Sequence, residues 1–277
     1  MIYHVMHLAE IFAPLGKNGC DPKLSVYLPD NMREMGRQDQ KKPCLLICPG
    51  GGYSMVSQRE GEPIALRFLQ MDFNVFVLEY SVAPCTFPTQ LREVAAAMEM
   101  IYANAQQWHC DTDKIAIMGF SAGGHLAAHY TNAYDWPEVR ELFPESKPVN
   151  ASILCYPVIT ADPKYAHLGS FRSLLGKEVL TQEEQQRFSC DNMVTEQTPP
   201  TFLWHTRPDA SVPVMNTLLY AQALAEHNVP FAVHIYPEGW HGLATVDNVT
   251  NNELSPAIAH AGEWLDGAMK WLRITFE

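Results

Sequence analysis

The stretch Gly119-Phe120-Ser121-Ala122-Gly123-Gly124-His125 decides the fold of this 277-residue chain. It follows an apolar run at residues 114–118 that is typical of a buried strand, and it precedes a helical pattern that starts at Ala122. A serine in the pattern G-x-S-x-G between a strand and a helix is typical of a sharp turn that exposes its hydroxyl above a sheet. The stretch therefore predicts an α/β fold with Ser121 as a nucleophile. The alternative is a turn of serine and glycine without chemistry.

Apolar and helical segments alternate along the rest of the chain. The predicted strands are residues 24–28, 44–48, 75–80, 115–119, 152–156, 201–205 and 232–236. The predicted helices are residues 62–70, 88–108, 122–134, 214–228 and 256–272. This alternation implies a mostly parallel central sheet with helices on both faces. Because no linker or repeat divides the chain, residues 1–277 are predicted to form a single domain.

Residues 160–200 interrupt the alternation between two predicted strands. This segment is long and polar, and its pattern is helical only near residues 182–188. Long excursions of this kind often serve as lids or binding loops. We therefore predict a short lid-like, substrate-binding insertion at about 160–200. A surface insertion without a function is the alternative.

The composition excludes several classes of partner. A formal net charge of −12 argues against a nucleic acid or an anionic membrane surface. No stretch approaches the roughly 18 apolar residues of a membrane span, and residues 1–16 lack the features of a signal peptide. These features predict a protein that binds neither nucleic acid nor membranes.

The seven cysteines bear on the cellular location. Cys44, Cys48, Cys110 and Cys155 lie in or beside apolar runs, where a free cysteine packs as a small hydrophobic side chain. There is no C-x-x-C pair, which argues against a zinc or redox site. The pattern predicts a reducing, cytoplasmic setting and no bound metal.

A serine hydroxyl becomes a nucleophile only when a base takes its proton, and that base needs an orienting acid. Asp209 follows the sixth predicted strand, and His241 follows the seventh. The carboxyl ends of parallel strands are where open α/β sheets carry their active sites. The order Ser121, Asp209, His241 is also the one that accompanies the G-x-S-x-G turn. These residues are the predicted catalytic triad, with capping of the helix near Pro213 as an alternative role for Asp209.

Negative charge that develops on a substrate oxygen needs N–H donors aimed at it. The run Pro49-Gly50-Gly51-Gly52-Tyr53 follows the second predicted strand, and its glycines let the backbone approach a ligand closely. The predicted oxyanion-hole donors are the N–H groups of Gly51, Gly52 and Ala122. A phosphate cradle is the alternative for the glycine run. It is disfavoured because neither G-K-[ST] nor G-x-G-x-x-G spacing is present.

Taken together, these blocks resemble the α/β-hydrolase superfamily. Within it they are similar to the hormone-sensitive-lipase-like carboxylesterases, and more closely to acetylxylan-esterase-like and feruloyl-esterase-like proteins. The matching blocks are PGGGY at 49–53, EYSVAP at 79–84, the serine turn at 119–125, PTFLWHT at 200–206 and EGWHG at 238–242. One departure is Pro49, where many lipase-like relatives carry histidine. The backbone donors do not depend on that side chain.

The resemblance implies an α/β-hydrolase fold with neither a metal nor an organic cofactor. It also implies hydrolysis of short-chain carboxylic esters, with acetyl esters of sugars as one class, so that the partner is a small ester. In this reading Ser121 is the nucleophile, His241 is the general base and acid, and Asp209 orients the histidine. An acyl-enzyme on the serine would be the intermediate.

Three aromatic residues beside the glycine loops, Tyr53, Phe120 and Trp240, are predicted to shape the substrate pocket, although aromatic residues in such places are as often part of the core. One rival function is a peptidase or amidase, which in this fold usually carries a further large domain. Another is a non-catalytic small-molecule-binding protein, which typically loses the serine or the histidine. A homodimer is the default expectation for the assembly, because it is the commonest one.

Overall fold

An eight-stranded sheet forms the centre of the molecule. The structure is a computed structural model that describes residues 1–277, apart from the side chain of Asn18. Within the described residues the strand order is β1-β2-β4-β3-β5-β6-β7-β8. The strands are β1 (Ile2–His7), β2 (Lys23–Leu28), β3 (Lys42–Cys48), β4 (Asn74–Glu79), β5 (Cys110–Phe120), β6 (Ala151–Cys155), β7 (Thr201–Thr206) and β8 (Phe231–Tyr236).

Most of the sheet is parallel, as the sequence predicts. Strands β3 to β8 pair in parallel, whereas β2 pairs antiparallel with both β1 and β4. The edge strand β1 was not among the predicted strands, and it adds the antiparallel pair at that edge. The seven predicted strands all form, with bounds that differ by a few residues.

Helices cover both faces of the sheet. They are α1 (Leu8–Ile11), α2 (Glu62–Leu69), α3 (Thr89–Ala103), α4 (Ser121–Ala133), α5 (Pro137–Arg140), α6 (Leu168–Leu175), α7 (Gln182–Phe188), α8 (Met215–Glu226), α9 (Pro256–Ala259) and α10 (Glu263–Thr275). The predicted helix at 88–108 is shorter than expected, because the chain leaves α3 at Asn104 and turns toward β5. The predicted helix at 256–272 is divided into α9, a short 3-10 turn and α10.

Side chains that alternate along the strands build one core on each face of the sheet. In β3, Cys44, Leu46 and Cys48 pack with α3, α4 and α8. The intervening Leu45 and Ile47 pack with α2 and α10 on the other face. This period of two places a run without polar residues in the middle of a sheet that is buried on both sides.

The insertion at 160–200 is more helical than its sequence predicts. It contains α6 as well as α7, followed by a 3-10 turn at Cys190–Met193. Helix α7 begins with a capping box in which Thr181 and Glu184 exchange side-chain to backbone hydrogen bonds. Phe171, Leu174 and Phe188 are buried in the core that contains α3 and α4. The insertion is therefore packed onto the body of the molecule.

A disulfide bond joins Cys20, before β2, to Cys85 in the segment after β4. The other five cysteines of the described residues are free and buried, among them the four that the sequence assigned to the apolar core. Disulfide bonds persist mainly in oxidising compartments. The pair therefore disagrees with the reducing setting that the cysteine pattern predicted. Among the described residues, no helix has the length and apolar character needed to cross a bilayer.

Candidate active site

Ser121 lies at the junction of β5 and α4, with no residue between strand and helix. Its φ of +53° lies in the left-handed region that non-glycine residues seldom adopt. The turn is possible because Gly119 and Gly123 have no side chains: a methyl group on Gly119 would lie 2.1 Å from the Gly123 oxygen. A methyl group on Gly123 would lie equally close to the Cys48 oxygen at the end of β3. The two glycines thus allow strand, helix and serine to share one tight corner.

The three residues of the predicted triad lie in one hydrogen-bonded line. His241 Nε2 is 2.7 Å from Ser121 Oγ, and His241 Nδ1 is 2.7 Å from Asp209 Oδ2. An ionised carboxylate can only accept hydrogen bonds. The proton therefore sits on Nδ1, and Nε2 is left to accept the serine hydroxyl. This is the tautomer that a general base for Ser121 requires.

Asp209 is held as a carboxylate by the groups around it. Its Oδ1 accepts the backbone N–H groups of Ser211 and Val212, both at 2.9 Å. Burial by itself would raise the pKa of Asp209, but hydrogen bonds from His205 and His241 outweigh it, and the pKa lies well below the ordinary value. The N–H contacts also show that Asp209 caps the turn before α8 while it bonds to His241.

His205 supports Asp209 from inside β7, a contact that sequence analysis missed. Its Nε2 donates to the Val212 oxygen at 2.9 Å and also lies 3.3 Å from Asp209 Oδ2. Its Nδ1 accepts the Thr217 hydroxyl at 2.8 Å. These partners fix the ring and keep one N–H directed toward the carboxylate. The available signal was its place at the end of a strand, four residues before Asp209.

The glycine loop after β3 has an unusual backbone at three consecutive positions. Gly51, Gly52 and Tyr53 have φ values of +127°, +64° and +56°. The Gly51 oxygen accepts the N–H groups of Ser54 and Met55 at 3.0 and 3.1 Å, which closes a tight turn. A methyl group on Gly51 would lie 2.1 Å from the Met55 oxygen, so only glycine fits there. This backbone lies beside the serine turn, since Gly50 packs against Ser121.

The N–H groups of Gly51, Gly52 and Ala122 remain available as donors. Among the described residues, none of the three has a hydrogen-bond partner within the molecule. Buried or half-buried backbone N–H groups are usually paired. Three unpaired donors beside one serine are thus suited to an external acceptor that bears negative charge.

Two of the three aromatic residues predicted for the pocket lie in the core, which corrects that prediction. Phe120 is fully buried and Tyr53 is 1% exposed. Tyr53 donates its hydroxyl to His125 Nδ1 at 2.8 Å, while His125 Nε2 donates to the Phe188 oxygen. Burial lowers the pKa of His125 to about 4, so its ring is neutral. Tyr53 thus ties the glycine loop to α4 and the insertion and does not line a pocket.

Trp240, in contrast, is 44% exposed and directly precedes His241. It borders a cleft of about 270 Å³. The other residues that line this cleft are Arg59, Thr250, Asn251, Asn252 and Glu253. An aromatic face surrounded by amide, hydroxyl and charged groups is suited to a ligand with both apolar and hydroxylated surfaces.

The insertion brings two further polar side chains to the site. His167 Nδ1 and Ser170 Oγ, at the start of α6, are 2.8 Å apart. Ser170 Oγ lies 3.9 Å from where a methyl group on Gly52 would be. Burial, followed by the nearby His241, lowers the pKa of His167. Among the described residues, no group of three or more His, Cys, Asp or Glu side chains is arranged to hold a metal ion.

These features define an α/β-hydrolase fold: the strand order of the sheet, the serine turn, and the hydrogen-bonded residues Ser121, His241 and Asp209 at the strand ends. The structure is similar to that of an acetyl ester-xyloside bifunctional hydrolase from Caldicellulosiruptor lactoaceticus, with 33% identity and a TM-score of 0.83 over 98% of this chain and 96% of that one. It is also similar to a carboxylesterase from Lactobacillus plantarum, with 28% identity and a TM-score of 0.83 over 99% and 98% of the two chains.

The chain belongs to the BD-FAE family, whose model matches residues 24–224. It is 37% identical over 230 residues to endo-1,4-beta-xylanase B of Butyrivibrio fibrisolvens, covering 80% of this chain and 36% of that protein. It is 31% identical over 225 residues to an acetylxylan esterase of Xylanibacter ruminicola, covering 80% of this chain and 43% of that protein. The chain thus spans less than half the length of these two relatives. The resemblance drawn from the sequence is confirmed at the level of fold and family.

Proposed function

We propose that this protein is a serine carboxylesterase that hydrolyses short-chain esters, including acetyl esters of sugars. The observation that carries the proposal is the line from Ser121 through His241 to Asp209, with both hydrogen bonds at 2.7 Å. The unpaired N–H groups beside the serine support it, because acyl transfer needs both parts. The names of the similar proteins, an acetylxylan esterase and a carboxylesterase, point to the same chemistry.

In the proposed mechanism His241 Nε2 takes the hydroxyl proton as Ser121 Oγ attacks the ester carbonyl carbon. The carbonyl oxygen becomes an oxyanion and accepts the N–H groups of Gly51, Gly52 and Ala122. When the bond to the alcohol oxygen breaks, the imidazolium of His241 gives that oxygen its proton. A water molecule, deprotonated by the same nitrogen, then attacks the acyl carbon, and the acid leaves as Ser121 regains its proton.

Asp209 completes this cycle without exchanging a proton. Its low pKa keeps it ionised while His241 is neutral and while it is an imidazolium. The fixed negative charge next to Nδ1 stabilises the imidazolium that forms in both steps. The hydrogen bonds to the backbone at Ser211 and Val212 hold the carboxylate at this place.

The cleft beside Trp240 supports a sugar as the alcohol part. The alcohol leaves from the side of His241, because this residue protonates it, and Trp240 directly precedes His241 in the chain. The cleft offers an exposed aromatic face together with Arg59, Asn252 and Glu253. We propose that a pyranose ring binds there while its acetyl group lies against Ser121. The approach of Ser170 to the glycine loop supports a lid-like role for the insertion.

The first test is the hydrolysis of p-nitrophenyl esters from acetyl to decanoyl. We expect fast turnover of the acetyl and butyryl esters, and Ser121→Ala should lower kcat/KM by about 1,000-fold or more, because it removes the nucleophile. The matched control is Ser255→Ala, which removes a hydroxyl at the start of α9 and should leave turnover unchanged. Turnover that survives Ser121→Ala would contradict the proposal. Preference for amide over ester substrates would favour the peptidase or amidase alternative.

The second test concerns the sugar. We expect Trp240→Ala to raise KM for an acetylated xylo-oligosaccharide about tenfold, as the loss of roughly 1.4 kcal/mol of binding would. The hydrolysis of ethyl acetate, which is too small to reach the cleft, should stay within about twofold of wild type on the same scale. Trp240→Phe keeps an aromatic face, so its KM for the xylo-oligosaccharide should lie between those of wild type and Trp240→Ala. If Trp240→Ala impaired the hydrolysis of both substrates equally, the cleft would not be a binding site for the sugar.

A further inference from the structure

Glu60 is a buried acid that the proposed mechanism does not use. It ends a short 3-10 turn at Gln58–Glu60, and it is 3% exposed. Its Oε2 accepts the N–H of Gly50 at 2.9 Å, and its Oε1 accepts the hydroxyl of Tyr156 at 2.7 Å. Among the described residues no lysine, arginine or histidine forms an ion pair with it. A buried carboxyl without a cationic partner stabilises a fold poorly, so another role has to explain this arrangement.

The Oε2 atom of Glu60 holds the glycine loop through the N–H of Gly50. The peptide unit between Pro49 and Gly50 is bonded at both of its polar ends, since Tyr80 donates its hydroxyl to the Pro49 oxygen at 2.8 Å. Gly50 also touches the serine turn: a methyl group there would lie 3.0 Å from Ser121 Cβ. With this peptide unit fixed, the next two N–H groups of the loop are fixed relative to the serine.

The Oε1 atom of Glu60 acts on the loop that carries His241 through the hydroxyl of Tyr156. Tyr156, at the end of β6, accepts the N–H of Ala244 on its hydroxyl oxygen at 3.0 Å. Its ring packs edge-on against the imidazole of His241, with 5.1 Å between the ring centres. A methyl group on Gly242, the residue after the histidine, would lie 3.8 Å from Glu60 Oε1. The same carboxyl group is therefore bonded directly to the glycine loop and, through Tyr156, to the histidine loop.

We propose that Glu60 is a positioning residue that couples the oxyanion loop to the histidine loop. Glu60 thereby fixes the positions of the Gly51 and Gly52 N–H groups relative to the imidazole of His241, so that all of them can act on the same ester group. This inference rests on the proposed esterase function. Catalysis of acyl transfer depends strongly on such register, because a displacement of about 1 Å costs on the order of 100-fold in rate.

The test is a double-mutant cycle with Glu60→Ala and Tyr156→Phe. The kcat for p-nitrophenyl acetate is divided by the number of sites that a serine-directed phosphonate titrates. We expect a loss of about 100-fold for Glu60→Ala and about tenfold for Tyr156→Phe, with KM within about threefold. The double mutant should be no slower than Glu60→Ala, because the tyrosine hydroxyl is held in place by its bond to the acid. Glu60→Gln keeps an acceptor for Gly50 and should retain most of kcat.

A kcat per titrated site that is normal in Glu60→Ala overturns the proposal, and so do effects that multiply in the double mutant. If Glu60→Ala does not fold, a kcat per titrated site that is normal in Tyr156→Phe overturns the proposal. A second readout needs no turnover: the proton on His241 Nδ1 gives a low-field resonance that should move in Tyr156→Phe. An unmoved resonance overturns the proposal. Failure of the esterase function itself is recognised separately, as a wild type that neither hydrolyses the ester nor reacts with the phosphonate.

Discussion

At the scale of single residues, Glu93 is a second buried acid with a different consequence. It lies in α3, where its Oε2 accepts the N–H of Ser81 at 2.7 Å. Its Oε1 has no hydrogen-bond partner among the described residues. Burial raises the pKa of Glu93 to about 7, although the contacts with Ser81 work in the opposite direction. The folded protein therefore keeps this group protonated at pH values where the unfolded chain has released the proton.

The free energy of unfolding should therefore depend on pH through Glu93. Between the ordinary glutamate pKa of 4.5 and about 7 the folded state binds more protons than the unfolded state, so stability falls as the pH rises. The contribution is present below about 4.5 and is lost above 7, with a size of about 3 kcal/mol. Glu93→Gln should flatten this loss, as measured by urea unfolding at pH 5 and pH 8. Glu99→Gln on the same helix is the control, and equal slopes in both variants would contradict the assignment.

The residues of the candidate site differ in how far the sequence could predict them. Ser121, Asp209 and His241 could be predicted because each lies in the turn or loop that follows a strand, and these strand ends meet at one edge of the sheet. Glu60 and Tyr156 could not, because their contacts join segments 96 positions apart and follow no local pattern. Tyr53 and Phe120 were misjudged for a related reason. Closeness to a glycine loop along the chain does not say which side of the loop a ring takes.

At the scale of elements, the sequence predicted seven of the eight strands and missed β1 together with the short helices α1, α5 and α6. Strand β1 escaped detection because it pairs only with β2, and its Ile2, Tyr3 and Val5 side chains are exposed. Backbone pairing at a sheet edge leaves little trace in an apolar pattern. Helix α6 was missed because it has eight residues, and its limits depend on a His167 side-chain cap and on Gly176 in the left-handed region.

At the scale of the whole molecule, the disulfide bond between Cys20 and Cys85 spans 65 positions. It links the segment before β2 to the loop after β4, on the antiparallel side of the sheet. A bond that closes a loop of this length restricts the unfolded chain and so raises the free energy of unfolding. Neither cysteine had a local signal for pairing, because the two approach each other only after β2 and β4 have paired.

Replacing both cysteines by serine should lower the free energy of unfolding by about 2–4 kcal/mol. The expected consequence is an earlier urea midpoint, with turnover in the absence of urea retained. Dithiothreitol should lower the midpoint of the wild type to a similar degree and leave the Cys20→Ser/Cys85→Ser variant unchanged. A midpoint that the reductant shifts equally in both proteins would mean that the bond does not act as described.

Ser121 and His241, the proposed nucleophile and base, are 120 positions apart, and Asp209 lies between them along the chain. During synthesis Ser121 therefore emerges from the ribosome well before His241. A nascent chain that ends between them carries the serine without the imidazole that would activate it. In the proposed mechanism the hydroxyl stays inert until β8 pairs with β7, because the loop after β8 carries His241 to the serine turn. The reactivity of Ser121 thus arises late in folding, and its measurement would report when folding is complete.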